Sequence, residues 1–173
     1  MGVAALAHQA LGEISETQAR IAELRQLWQR TGAANRVEER HLEYLEGRLA
    51  LSRGGLDSAL EHLKRAQSLL PPKGVEFHWH LYPHHVAIWA ALGEAERAAG
   101  GDAASWFEKA AGSGSERLEQ PMAYVRSLYF LARIHAERGK PAEARRYFER
   151  FLKLWGDGEL DAERVREARR ALG

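Results

Sequence analysis

Residues 124–155 leave little choice of fold: they read as a helix, a three-residue joint and a second helix. Tyr124, Leu128, Leu131, Ala132 and His135 recur at three- and four-residue steps, which puts them on one helical face. Gly139 ends that helix, because glycine enters the left-handed conformation after a helix without a Cβ clash. Pro141 opens the next, where its missing N–H is not needed and its fixed φ already fits. Ala144, Phe148, Phe151 and Trp155 form the second apolar stripe. Two amphipathic helices with a Gly-Lys-Pro joint fold back on each other as an antiparallel pair.

The same pattern recurs upstream. Residues 35–53 predict a helix with Leu42, Leu45, Leu49 and Ala50 inward, ended by Gly54-Gly55. Residues 56–70 follow with Ala59, Leu63, Ala66 and Leu70 as the stripe, and Pro71-Pro72 stops them. A third pair is expected over 83–111: Ala91, Ala103, Phe107 and Ala110 stand where the other pairs place their small and bulky contact residues, Gly100-Gly101 marks the turn, and Asp102 is a cap or first-turn acid. Gly-Ser-Gly-Ser at 112–115 reads as a flexible loop, and Pro121 as the start of the pair that follows. At the amino end, residues 3–31 predict a helix interrupted near Gly12, with Leu11, Ile14, Ile21, Leu24 and Trp28 inward. Ser15 and Gln18 have capping-box spacing, which would start the main segment near Glu16. After Gly156-Asp157-Gly158 comes a last helix, capped by Asp161. Its thin stripe is Val165, Ala168 and Leu172; Glu163, Arg164, Arg166, Glu167 and Arg170 make a wet opposite face.

A small residue in a first helix, a glycine at the turn, an alanine early in the second helix and an aromatic one turn later are the marks of a known repeat. Ala132, Gly139, Ala144 and Phe148 fill those places. Gly47, Gly54, Ala59, Leu63, Ala66 and Pro71 match the repeat pattern closely in an earlier pair. The chain resembles the tetratricopeptide repeat family. The segment from Phe151 to Asp161, with the basic helix after it, is similar to the carboxy-terminal end of repeat regions attached to bacterial Ser/Thr protein kinases and related signalling regulators. The resemblance implies an all-α solenoid of antiparallel helix pairs forming a right-handed superhelix. Its units would be 3–31 (partial), 35–72, 83–111 and 121–155, with a capping helix over 160–172. Ala59, Ala103 and Ala144 lie 44 and 41 residues apart, so helices or loops exceed the usual repeat of about 34.

Composition narrows the function classes. With 25 basic and 24 acidic residues, the net charge of +1 supplies no general pull towards nucleic acid or an anionic membrane. No cysteine is present, so disulfides, thiol catalysis and cysteine-bound zinc are out, and a reducing, cytoplasmic setting fits. The longest apolar run, Val86 to Leu92, is far too short to span a bilayer, and the first residues lack the features of a secretory signal. Phosphate loops, nucleophile elbows and paired metal-ligand motifs do not occur, so no catalytic activity and no cofactor are expected.

Three candidate sites remain. His78, His80, His84 and His85 crowd one stretch and could gather a metal, but Pro83 disfavours a helix there and no acid lies within the run. A surface loop is the expected reading. Arginines 145, 146, 150, 164, 166, 169 and 170 alternate with acids and read as a solvated, salt-bridged face with no aromatic interleaved. The last candidate is a groove. In the repeat family first helices line a concave surface, and the resemblance carries that role to His41, Tyr44 and Arg48, to His85, Ile88 and Trp89, and to Arg126, Tyr129, Arg133 and Glu137. Tyr, Trp and Arg dominate interface energetics, and Arg126 and Arg133, two turns apart, could pair with a partner's carboxylates. The expected function is non-catalytic binding of a protein or peptide partner, with self-association as one form of it. The other readings are a small-ligand sensor with its effector beside Trp89, and the histidine metal site.

Overall fold

The computed structural model describes residue 5 and residues 12–31, 36–72 and 85–173. Among them there are eight α-helices, one 3-10 turn and no strand. The helices are α1 (Ile14–Thr31), α2 (Arg36–Ser52), α3 (Leu56–Ser68), α4 (His85–Ala99), α5 (Ala103–Ala111), α6 (Pro121–Glu137), α7 (Pro141–Trp155) and α8 (Ala162–Leu172). The 3-10 turn, Ser115–Leu118, sits between α5 and α6. No described helix is long and apolar enough to cross a membrane.

Each helix packs chiefly on the next one in the chain, and α2, α4 and α6 also touch in succession. The paired helices run in opposite senses. Glu39 of α2 meets Arg65 of α3, while Glu43, one turn later, meets His62. In the same way Tyr124 near the start of α6 meets Arg150 near the end of α7. The turns inside the pairs share one backbone device: Gly54, Gly100 and Gly139 have φ of 76°, 76° and 69°, where a side chain would be strained. Pro121 and Pro141 stand in the first turns of their helices, as their chemistry predicts.

Among the described residues the buried apolar side chains fall into three clusters. The amino-terminal one holds Ile21, Leu42, Leu45 and Leu49, with Leu24 and Trp28 against them. The middle one joins Leu63 and Ala66 to Ile88, Ala91, Leu92 and Ala95. The largest holds Phe107, Leu128, Tyr129, Leu131, Ala132, Phe148, Phe151, Val165 and Ala168. Close backbone approach inside two pairs depends on glycine. A Cβ on Gly47 would stand 2.6 Å from the Leu63 side chain, and one on Gly93 would stand 2.6 Å from the Phe107 ring. The small contact residue of α4 is therefore Gly93. Ala91, predicted for that place, faces the middle cluster instead.

Several local expectations change. Helix α1 begins at Ile14, so Ser15 and Gln18 lie inside it and form no capping box; the chain turns at Gly12, with φ 75°. Asp102 and Asp161 occupy the positions before α5 and α8, yet neither side chain caps the helix. Arginines claim both carboxylates instead: Arg138 lies 3.7 Å from Asp102, and Arg126 and Arg164 hold Asp161. Asp161 also sits at φ 55°, away from the extended backbone of a capping residue, so its carboxylate meets the arginines and not the first N–H groups of α8. Residues 112–115 are not a plain flexible loop either. Ser113 is buried and donates its hydroxyl to the Ala110 carbonyl at 2.7 Å, and Ser115 starts the 3-10 turn. Ala50 is only half-buried, and Leu69 is buried more deeply than Leu70.

Candidate functional site

The proposed groove residues sit on α2, α4 and α6, and half of them are buried. His41, Ile88, Trp89 and Tyr129 are buried, Trp89 at 6% exposure and Tyr129 at 3%. His85 is buried as well; its Nε2 lies 3.0 Å from the Pro71 carbonyl and its ring meets Trp89 edge-on at 5.2 Å. The other cluster histidines, His78, His80 and His84, lie outside the described residues. Among the described residues no group of His, Asp and Glu is placed to hold a metal ion.

His41 sits where burial, with Arg40 beside it, lowers its pKa to about 4. Folded, the ring stays neutral; unfolded, it titrates near the ordinary 6.5. Its contribution is fully present above about pH 6.5 and is lost as pH falls towards 4. The expected loss is about 2–3 kcal/mol. Urea midpoints at pH 7.5 and 4.5 should drop further in the native chain than in His41→Leu. Equal drops in both would exclude His41 as the source.

The charged groove residues are held by partners from the next first helix. Arg48 of α2 donates to Glu94 of α4 at 2.6 Å. Arg97 of α4 donates to both oxygens of Glu137 on α6, at 2.6 and 3.1 Å. Arg133 of α6 lies 3.4 Å from Glu167 of α8 and 3.5 Å from Glu137. Arg126 spans both oxygens of Asp161, at 2.7 and 3.3 Å. Arg25 of α1 pairs with Glu46 of α2 in the same manner. The result is a set of ion-pair rungs that links α1, α2, α4, α6 and α8 in turn. Arg126 and Arg133 do meet carboxylates, but Asp161 just before α8 and Glu167 within it supply them.

The electrostatics follow the rungs. Burial works against the Arg48 charge, and Glu94 outweighs it, so the guanidinium stays above its ordinary range. Burial raises the Tyr44 hydroxyl, which stands half-buried beside that rung. Burial also raises Tyr129, whose hydroxyl donates to Glu167 at 2.5 Å. The Arg97 hydrogen bonds hold the Glu137 carboxyl below its usual range. These are groups kept charged and paired, or kept neutral.

One cleft lies beside the Arg97 rung, between the turn before α5 and the end of α6. Arg97, Gly101, Ala104, Ile134, Glu137 and Arg138 line it, and its volume is about 200 Å³. Pockets for drug-sized ligands start near 300 Å³. The cleft does not adjoin Trp89, where a sensor would place its effector.

No protein-family model matches this chain, and no curated protein matches it. What the surface can do follows from its own side chains. The resemblance points to Arg48, Arg126 and Arg133 but not to Arg25, Arg97, Glu94 or Glu167; the partners of the two acids are 46 and 34 residues away in sequence. The only local signal for them is an acid on a first helix, and many exposed helices carry one.

Proposed function

We propose that the chain is a non-catalytic protein-binding module of the tetratricopeptide type. It is read as a right-handed superhelix of helix pairs, serving a bacterial signalling or regulatory protein in the cytoplasm. The observation that carries this reading is the direct succession of α2, α4 and α6, which makes one surface from three separate stretches of chain. Along that surface run the rungs, with Arg48, Glu94, Arg97, Arg133, Glu137 and Glu167 all partly exposed. Such a lane suits a partner segment carrying both signs of charge, which can trade ion pairs with the rungs one by one. Exposed pairs are worth only about 0–1 kcal/mol each, so the exchange is cheap and reversible. Trp89 and Tyr129 act here as framework that fixes the lane. A second copy of the chain, with the same alternating charges, is one partner of this kind.

The test exchanges a rung. Arg48→Glu combined with Glu94→Arg keeps an internal pair but reverses what the surface presents. For a partner isolated on the native chain, calorimetry should show about tenfold weaker binding to this double variant. Native affinity retained by both the double variant and Arg97→Ala would reject the lane as the binding surface.

A further inference from the structure

A second surface lies on the outer edge of the α6–α7 pair, away from the rungs. Tyr147 of α7 stacks flat on His135 of α6, with ring centres 5.4 Å apart and planes 6° from parallel. The guanidinium carbons of Arg146 and Arg150 lie 5.1 and 5.7 Å from the centre of the Tyr147 ring. Arg150 also donates to the Tyr124 hydroxyl at 2.9 Å. Arg117, from the 3-10 turn, lies 5.7 Å from the Tyr124 ring. Five side chains from three elements thus form one connected cluster of arginine and tyrosine. The alternation of Arg146, Tyr147 and Arg150 corrects the reading of this stretch as free of interleaved aromatics.

The charge of this cluster is unanswered. Arg48, Arg97, Arg126, Arg133 and Arg145 each have a carboxylate within ion-pair distance; Arg117, Arg146 and Arg150 have none among the described residues. Glu143, one turn before Arg146, and Glu116, beside Arg117, do not reach them, and Glu149 is taken by Arg145. Other arginines without a carboxylate, such as Arg166 and Arg170, have no tyrosine ring beneath them. Rings restrain the guanidinium planes before any ligand arrives, so less side-chain freedom is lost on binding. Arg146 and Arg150 stand one helical turn apart, a spacing that two carboxylates one turn apart on another helix would match.

We propose that this edge docks an acidic helical segment of another protein, with carboxylates pairing to Arg146 and Arg150 and a third reaching Arg117. The chemistry favours carboxylates over a nucleic acid. Tyr147 already has His135 and the two guanidiniums over its ring, so no open tyrosine platform is left for a base, and the net charge of +1 gives no long-range pull on a polyanion.

The probe is a synthetic helical peptide with glutamates at every fourth position, titrated into the native chain at low and high salt. Saturable binding that weakens with salt is expected. Arg146→Gln should weaken it about tenfold, as should Arg150→Lys, which keeps the charge and loses the fork. Arg145→Gln, already paired internally, should leave it unchanged. The Arg48 and Glu94 exchange should also leave it unchanged, so this site and the lane fail independently. Absence of binding to the native chain would overturn the proposal. So would equal loss in Arg145→Gln, tighter binding of a thymidine oligonucleotide, or an Arg146-dependent dimer.

Discussion

Phe107→Ala is expected to cost about 3–5 kcal/mol, read as a shift of the urea midpoint. Phe107 is fully buried and stacks on Phe130 with ring centres 5.0 Å apart and planes 17° from parallel. Its opposite side presses on the backbone of Gly93, so the ring is gripped between α4 and α6. Removing it leaves a void that two helices cannot both collapse into. The grip can be tested from the other side. Gly93→Ala should destabilise by about 1–3 kcal/mol, although alanine is the better helix former by about 1 kcal/mol. In the Phe107→Ala background the same change should become stabilising, because the clash is gone and the propensity gain remains. A Phe107→Ala cost below about 1 kcal/mol, or a Gly93→Ala effect of the same sign in both backgrounds, would mean that the ring is not wedged there.

Val165→Asp should have a comparable effect by a different route. Val165 is 4% exposed and belongs to the cluster that joins α8 to Phe151 and Leu128. An unpaired carboxylate there costs about 3–5 kcal/mol while α8 stays docked. Helix α8 is terminal, so it can escape the cost by leaving. Detachment would break the Tyr129–Glu167 and Arg126–Asp161 bonds and bare the tyrosine. Hydrogen exchange should then show α8 unprotected while α6 and α7 keep most of their protection. Full protection of α8 in the variant would place Val165 outside the interface. Val165→Ala, which removes volume without charge, should leave α8 docked.

The helices themselves were legible because their signals are local. Gly139 and Pro141 fix a turn from three residues of sequence, and the stripe from Ala144 to Phe151 needs no knowledge of what it touches. The caps were misread for the opposite reason. Asp102 and Asp161 look like caps to their own helices, and arginines from α6 and its carboxy-terminal end, brought near only by the fold, take them. The groove residues suffered similarly. Periodicity places Trp89 and Tyr129 on first helices but does not say which side of each helix the next one covers. Trp89 lies in the same cluster as Val86, Tyr124 and Tyr129, and α8 covers the far side of Tyr129. The arginine–tyrosine edge is hard to read from sequence because a single tyrosine among arginines, Tyr147, says nothing of what its ring stacks on. Its meaning depends on His135, twelve residues earlier and on the other helix.

The succession of neighbour contacts has a mechanical consequence. With every described helix gripping mainly the one before and the one after, no substantial contact joins α1 to α8 among the described residues. Tension applied at the termini would meet one interface at a time, and each would yield for its own small cluster and rung. The described helices would part in short steps at low force, with α8 peeling early, and recoil as they re-dock. A protein fused to either end would be tethered by a compliant spring.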